Sequence, residues 1–505
     1  MSPVAFLLNL LWIVFGGLWM ALGWVVAALV MAITVVGLPW SFAAFRIAAY
    51  TLLPFGHTVV SRADYSGRED IGTGPLGMIG NLIWLVLAGW WLALGHVITA
   101  VLLAVTIIGL PFAWAHLKLA GLVAAGIIGL AAGPAWLRGT AIAQQPMVEV
   151  PLFEVDPLWP KPIPNEGLLG MTIGVSIDDQ DNVWIVHRGS ATLNNNEKGA
   201  ELNPPIADCC RSAPPVLAFN QAGDTIHAWG GPGEGYEWPE SMHGIHVDYK
   251  GNVWLGGNGA KDAQVLKFTK EGKFLLQSGH YGKNGGSNDP ENFGRVAQIY
   301  VDPKTNEAYL ADGYRNRRVA VLDADTGKMK RYWGAYGNKP DDSPQVPYNP
   351  SVVGQQFRSP VHCVALASDG LLYVCDRQSD RVQVFKTDAT FVKEQFFARN
   401  TLASGSTWEV AFSKDPEQRF MYVTDGQNER VRIVERATLT ELTSFGRGGR
   451  QPGEFFGVHS IAVDSKGNIY TTETYEGKRV QKFVYKGIGK VPPGNQGVLW
   501  PKRGA

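Results

Sequence analysis

The strongest constraint on this chain is the uneven placement of its charges. No acidic or basic residue occurs from Met1 to Phe45 or from Ile71 to Leu117, and each run far exceeds the about 20 residues that cross a bilayer core. Residues 1–138 hold eight of the 90 acidic and basic side chains. The net charge of zero is therefore an average over two unlike parts, and we expect a multi-pass helical transmembrane domain followed by a soluble domain.

The apolar part is a duplicated unit. The segment NLLWIVFGGLWMALG at Asn9 aligns with NLIWLVLAGWWLALG at Asn81, an offset of 72 residues. Each copy then reaches a Gly-Leu-Pro sequence, which removes a backbone donor and interrupts a membrane helix. Each unit is therefore either one long tilted helix or a tight hairpin. His96 and His116 sit alone among apolar residues, and we expect them to pack as core side chains.

These paired motifs, together with the polar joint LLPFGHTVVSRAD that begins at Leu52, resemble the YccF family of bacterial inner-membrane domains. The resemblance covers residues 1–125. It implies a location in the inner membrane and contact with the lipid bilayer, and it supplies no active site.

The segment at residues 126–146 joins the two parts and has the character of an export signal. It is apolar and ends near Ala141-Ile142-Ala143, a pattern typical of a secretory segment with a cleavage site of small residues. Arg46, Arg62 and Arg68 favour a cytoplasmic joint between the two membrane units. We therefore expect the C-terminal half to lie on the periplasmic side of the membrane.

Residues 147–490 repeat a strand, a turn rich in Asp, Gly and Asn, and a second strand. Six copies occur, at Val175, Ile245, Ile299, Val364, Val410 and Ile461. Such repeats predict the blades of an all-β six-bladed propeller, and they resemble NHL repeats. The lone strand at Met147 is expected to pair with the last copy and close the ring, which removes exposed sheet edges. Residues 491–505 remain as a C-terminal tail.

Histidine occupies one register position in alternate blades when the six copies are aligned on their first strands. The three residues are His243, His362 and His459. Alternate blades of a six-bladed ring lie about 120° apart, so three imidazoles would meet on the channel axis, as a zinc site with one open position requires. The alternative for any single histidine is that it binds water or caps a turn. His246 has no equivalent in the other two blades, and we expect it to be structural.

Other polar residues follow the second strands of several blades. Arg188 and Arg377 either hold a carboxylate through two parallel hydrogen bonds or form structural salt bridges with neighbouring acids. Tyr314 either acts as a general base beside a cation or packs as a core aromatic residue.

At these positions the sequence resembles the peptidyl-α-hydroxyglycine α-amidating lyase family. The matching segments are VHRGS at Val186, MHGIHVD at Met242, LADGYRNRRV at Leu310, VHCVALASDGLLYVCDRQSDRVQVFKTD at Val361 and GVHSIAVDSKGNIY at Gly457. The resemblance implies that His243, His362 and His459 bind zinc. It also implies that Tyr314 is the catalytic tyrosine and that Arg188 and Arg377 are the channel arginines.

Two positions depart from this family. Its structural calcium has an acidic ligand directly after the last zinc histidine, where this chain has Ser460, which puts calcium in doubt. The family's cysteine beside the catalytic tyrosine is replaced by Arg315, so Cys363 and Cys375 need not be bridged.

The sequence therefore predicts a membrane-anchored, zinc-dependent carbon–nitrogen lyase with a carbinolamide-type, small-molecule or peptide-like substrate in the channel. A copper monooxygenase segment that would make such a substrate is not found, so we do not expect peptide amidation itself. The alternative is a non-catalytic propeller that binds a protein, peptide or glycan on its face. Zero net charge and the lack of a Lys/Arg block argue against nucleic-acid binding.

Overall fold

The computed structural model describes residues 3–33, 38–54, 89–104, Phe112, His116 and 147–501. The chain divides into two compact units, Met1–Gln144 and Gln145–Ala505. The described part of the first unit is helical, and the second consists of β-strands with short 3-10 turns. The predicted linker, residues 126–146, lies outside the described residues.

The helices of the first unit are interrupted. They are Pro3–Trp12, a π-helical turn at Ile13–Gly17, Leu18–Ile33, Leu38–Leu52 and Trp90–Ala104. Small side chains of Leu18–Ile33 and Leu38–Leu52 pack in one apolar cluster, which corresponds to the hairpin alternative for the first copy. The second Gly-Leu-Pro sequence lies outside the described residues. Over the parts of this unit that are described, no helix combines the length and the apolarity needed to cross a bilayer.

The two histidines of this unit are buried, as expected, but they are not alone. The Nδ1 atoms of His96 and His116 lie 2.9 Å apart, and Trp24 Nε1 donates to His96 Nε2 at 3.1 Å. The ring of Trp12 lies 4.3 Å from that of His116, between centroids. Trp24 and His96 are separated by 72 residues, so equivalent positions of the two copies meet at this polar contact.

The second unit consists of six four-stranded antiparallel sheets. The innermost strands contact one another in sequence order and back to the first, so the predicted six-bladed propeller is confirmed. From the innermost strand outwards, blade 1 consists of Thr172–Ile177, Val183–His187, Val216–Phe219 and Thr225–Trp229, and blade 2 of Met242–Val247, Val253–Gly257, Gln264–Phe268 and Phe274–Gly279. Blade 3 consists of Val296–Asp302, Glu307–Asp312, Arg318–Asp323 and Met329–Trp333, and blade 4 of Val361–Leu366, Leu371–Asp376, Arg381–Lys386 and Phe391–Phe396. Blade 5 consists of Glu409–Phe412, Phe420–Asp425, Arg430–Glu435 and Thr440–Phe445, and blade 6 of Val458–Val463, Ile469–Glu473, Arg479–Val491 and Val148–Asp156. A short parallel pair, Gly167–Leu168 with Arg211–Ser212, lies outside the blades.

The ring is closed by strands from opposite ends of the unit, as predicted. Val148–Asp156 pairs antiparallel with Arg479–Val491 and forms the outer strand of blade 6. Phe153 is buried there against core residues of blades 5 and 6. The segment predicted as a tail returns to this strand, because Leu499 N donates to Phe153 O and Val155 N donates to Leu499 O, each at 3.0 Å.

A buried aspartate organises the turn after the first strand of several blades. Asp248 Oδ1 accepts hydrogen bonds from the backbone N–H groups two and four residues further on, at 2.9 and 2.8 Å. Its Oδ2 accepts one from Trp254 Nε1 at 2.9 Å. Asp178 and Asp464 bind the same two backbone groups and the aromatic residue six positions on in blades 1 and 6. The recurring Asp therefore ties each turn to a core aromatic side chain.

We expect Asp248→Ala to lower the free energy of unfolding of the propeller by about 2–3 kcal/mol, because it leaves the buried Trp254 N–H and two backbone donors without an acceptor. The measurement is urea-dependent pulse proteolysis of the full chain in detergent, followed on propeller peptides. Asp224→Ala serves as the control, since Asp224 forms an exposed ion pair with Lys161 and its loss should change the free energy of unfolding far less. Equal losses for the two variants would contradict this account of the turn.

Candidate metal centre

Three histidines enter the central channel at equivalent places. Each is the second residue of an innermost strand, in blades 2, 4 and 6, and the strand pairing shifts register there: His243, His362 and His459. A bulge of this kind re-aims a side chain out of the regular ladder. The corresponding positions of the other three blades hold Ile173, Ala297 and Trp408. The structure thus places the three histidines in the register that the alignment predicts.

Each imidazole is oriented by a backbone carbonyl of the next blade. The Nδ1 atoms lie 2.5–2.9 Å from these oxygens: His243 from Ala297, His362 from Trp408 and His459 from Ile173. Because a carbonyl only accepts hydrogen bonds, the proton of each neutral imidazole sits on Nδ1 and the lone pair remains on Nε2. This is the arrangement in which a second hydrogen bond prepares histidine for a metal.

The three Nε2 atoms lie close together, and the site has too few protons to give each of their lone pairs a hydrogen bond. The three rings have centroids 4.8–5.1 Å apart, and their possible ligand atoms lie within 4.8 Å of one another. The Tyr314 hydroxyl lies 3.0 Å from His243 Nε2 and 3.1 Å from His362 Nε2. One hydroxyl proton can satisfy only one of these lone pairs, whereas a cation satisfies all three.

Three neutral imidazoles with an open fourth position are a ligand set that Zn²⁺ accepts. Among the described residues, this is the one cluster of three or more potential metal ligands. The donor chemistry of the site therefore fits the metal that the sequence resemblance implies.

Burial keeps the three imidazoles neutral. Their side chains are at most 4% exposed. Burial, followed by repulsion from His459 and Arg188, lowers the pKa of His243 well below its usual value. Burial, followed by repulsion from Arg377, also lowers the pKa of His362 well below its usual value. Burial, Arg377 and Arg188 lower the pKa of His459 to about 3, so all three rings are available to a metal at neutral pH.

Neither channel arginine forms the structural salt bridge that the sequence left open. Within residues 147–501, Arg188 donates to Met242 O at 3.2 Å and to Asn258 Oδ1 at 2.9 Å, with no acid in ion-pair contact. Arg377 Nη1 donates to the Tyr314 hydroxyl at 2.9 Å. The acids near these positions pair elsewhere: Asp312 with Arg318, Asp376 with Arg381 and Asp425 with Arg432.

Tyr314 packs through its ring, while its hydroxyl faces His243 and His362. Its ring joins the apolar cluster between blades 3 and 4, and its backbone carbonyl accepts a hydrogen bond from the Ser359 hydroxyl at 2.8 Å. The guanidinium of Arg377 lies 5.4 Å from the Tyr314 ring. The packing alternative for Tyr314 is thus observed. Its hydroxyl also faces His243 and His362, and its role as a general base stays a prediction.

Trp408 and Asn258 are the site residues that the sequence analysis did not single out. Trp408 orients His362 through its carbonyl, and its ring lies 4.6 Å from the Arg377 guanidinium. Trp408 occupies the same aligned position in blade 5 as the histidines do in their blades, and this could have indicated its place at the site. Asn258 holds Arg188 and also accepts a hydrogen bond from Ser241, and only its position after the second strand of blade 2 could have indicated this.

The expectation that Cys363 and Cys375 need not be bridged was wrong. They form a disulfide with a Cα–Cα distance of 4.8 Å because they face each other directly across the first two strands of blade 4. Cys363 follows His362, so the bridge fixes the strand that carries a candidate ligand. Cys209 and Cys210 form a second disulfide, and the described residues contain no free cysteine.

Comparison with known proteins identifies the helical unit. The profile of the YccF inner membrane component domain matches residues 7–57 and 79–125. The inner membrane protein YccF of Escherichia coli (strain K12) is 34% identical over 118 residues, which are 23% of this chain and 78% of that protein.

The propeller has relatives of its own. NHL repeat-containing protein 3 of Mus musculus is 25% identical over 354 residues, which cover 67% of this chain and 85% of that protein. Peptidylglycine alpha-amidating monooxygenase of Rattus norvegicus is 29% identical over 333 residues, 63% of this chain, and the match spans 30% of that protein's length. The chain therefore belongs to the YccF family of inner-membrane components and carries a propeller homologous to NHL repeat-containing and peptidylglycine-amidating proteins.

Proposed function

We propose that the propeller is a zinc-dependent lyase that cleaves the C–N bond of a carbinolamide, R-CO-NH-CH(OH)-COO⁻, to give an amide and glyoxylate. The observation that carries the proposal is the meeting of three Nε2 lone pairs with one phenol hydroxyl and one arginine in a buried channel. The similarity to the amidating protein supports it, and the activity itself is our inference because the match covers 30% of that protein.

His243, His362 and His459 would hold zinc through their Nε2 atoms. Bound zinc supplies a Lewis acid that polarises the hydroxyl oxygen of the substrate. Tyr314, as the phenolate, takes the hydroxyl proton. The electron pair left behind forms the C=O bond of glyoxylate as the C–N bond breaks, and Tyr314 returns the proton to the amide nitrogen, so protons balance over the cycle.

Arg377 has two parts in this scheme. Its Nη1–H donates to the Tyr314 oxygen, which holds that oxygen in place for the proton transfer. We assign the remaining Nη–H groups of its guanidinium to the substrate carboxylate. Arg188, held by Asn258 and by Met242 O, contributes positive charge to the same channel.

His362→Ala should abolish metal binding. We expect about one zinc per chain in the wild type and a loss of most of it in the variant, because two imidazoles are too few for a stable site. The measurement is elemental analysis of the full chain purified in detergent. His246→Ala is the matched control and should keep its zinc, and a wild type that carries essentially no zinc under zinc-replete purification would refute the metal centre.

Tyr314→Phe should lower the rate of glyoxylate release from α-hydroxyhippurate by about 10²–10⁴-fold, the usual contribution of a positioned acid–base group, while zinc content stays unchanged. Tyr332→Phe is the control, since its hydroxyl contacts Asn288 O away from the three histidines. A zinc-loaded wild type that releases no glyoxylate would favour the non-catalytic propeller that binds a protein, peptide or glycan.

We also propose that the YccF unit anchors the propeller on the periplasmic side of a bacterial inner membrane through several membrane passages. Two disulfides with no free cysteine in the described residues support this placement, because disulfides persist in oxidising compartments such as the periplasm.

Protease added to intact spheroplasts, in an amount that digests the folded propeller in lysed cells, should therefore degrade it. Thiol alkylation of the chain before reduction should label none of its four cysteines. A propeller that becomes accessible only after lysis, with thiols that react in intact cells, would place it in the cytoplasm instead.

A further inference from the structure

A layer of polar side chains lies directly next to the three histidines along the channel. Gln298, Glu409 and Ser460 each follow the register position of their blade, in blades 3, 5 and 6. We call these three residues the floor layer. The equivalent positions of blades 1, 2 and 4 hold Gly174, Gly244 and Cys363, so the polar groups of the layer come from three blades.

Hydrogen bonds through the floor layer connect the innermost strands around the channel. Gln298 Oε1 accepts from Val364 N at 2.7 Å, and Gln298 Nε2 donates to Glu409 Oε1. The Ser460 hydroxyl and the N–H that follows it also face the Glu409 carboxyl as hydrogen-bond donors. Ser460 Oγ in turn accepts from Val175 N at 3.2 Å. Blade 3 is therefore joined directly to blades 4 and 5, and blade 5 is joined through blade 6 to blade 1.

The floor layer also divides the channel. A cavity of about 540 Å³ on its far side is lined by Gln298 and Glu409 and by none of the three histidines. The other titratable groups that line this cavity are Asp178, Asp179, Asp181, His246, Tyr300 and Lys414.

This layer does not fit the structural calcium ion of the family that the sequence resembles, which Ser460 already put in doubt. Calcium takes six to eight oxygen ligands, with carboxylates prominent among them. The position after His459 is Ser460, and the carboxyl that the layer does contain, Glu409, is engaged by N–H and O–H donors. These donors take up most of the lone pairs that a cation would need.

We infer that the floor layer replaces a central cation, with the Glu409 carboxyl held by donors from blades 3 and 6, so that the propeller needs no calcium to close its channel. A substrate then reaches the histidines from the side of Tyr314 and Arg377. This inference is independent of the proposed lyase activity.

The charge state of Glu409 makes the inference testable. Burial raises the pKa of Glu409 to about 8. A pKa that is higher in the folded than in the unfolded chain stabilises the fold below the unfolded value, and this contribution is lost as the pH rises through about 8. A bound cation would reverse this, because it favours the charged carboxylate.

The experiment compares the thermal unfolding midpoint of wild type, Glu409→Gln and Glu417→Gln between pH 6 and pH 9. The full chain is used in detergent with zinc supplied, and unfolding is followed as loss of protease resistance in propeller peptides. Each sample is measured after dialysis against calcium-free buffer and again with excess calcium chloride. Glu417 is exposed, so its variant controls for the loss of a charge.

We expect calcium to leave the wild-type midpoint unchanged, and Glu409→Gln to raise the midpoint at pH 9 relative to wild type but much less at pH 6. The difference between the two proteins isolates Glu409 from the other groups that line the cavity. Stoichiometric calcium in the purified wild type that Glu409→Gln releases would overturn the inference. So would a wild-type midpoint that falls on removal of calcium, or a Glu409→Gln variant whose pH response matches that of the wild type.

Discussion

The candidate site depends on one kind of hydrogen bond, from an imidazole Nδ1–H to a backbone carbonyl of the next blade. This bond sets the tautomer and orients Nε2 towards the channel axis, which is the role of a carboxylate partner in many metal sites. It also crosses from blade to blade. For His459 the acceptor is Ile173 in blade 1, so the third imidazole is positioned only when the ring is closed.

The same arrangement determines which groups surround the candidate metal ligands. Trp408 supplies the carbonyl that orients His362 and the aromatic face against which Arg377 lies. Arg377 in turn donates to the Tyr314 hydroxyl, whose oxygen contacts His243 and His362. The candidate ligands, the Tyr314 hydroxyl and the Arg377 guanidinium are thus linked through side chains from adjacent blades, and displacing one of them would shift the others.

Much of the propeller could be predicted because its determinants are local and periodic. The alternation of strand residues and the recurring Asp of each turn set the blades, and counting from those turns placed His243, His362 and His459 in one register. Contacts between blades were not accessible in this way. The partner of Arg188 and the aromatic surface under Arg377 depend on how neighbouring blades pack. The opposition of Cys363 and Cys375, by contrast, could have been counted from the turn of their hairpin, because loop length fixes hairpin register. In the helical unit, sequence predicted the duplication but not the contact between His96 and His116, which depends on how the helices pack.

The closing strand of the ring has a consequence for how the protein is made. Val148–Asp156 is the first strand of the propeller to be synthesised, yet its partner is Arg479–Val491, at the far end of the domain. An unpaired strand edge can pair with a wrong strand. The edge of Val148–Asp156 stays without its native partner until all the intervening blades have been translated. The ring can therefore close only after the last blade has been synthesised, and the first strand of the domain is among the last to be paired.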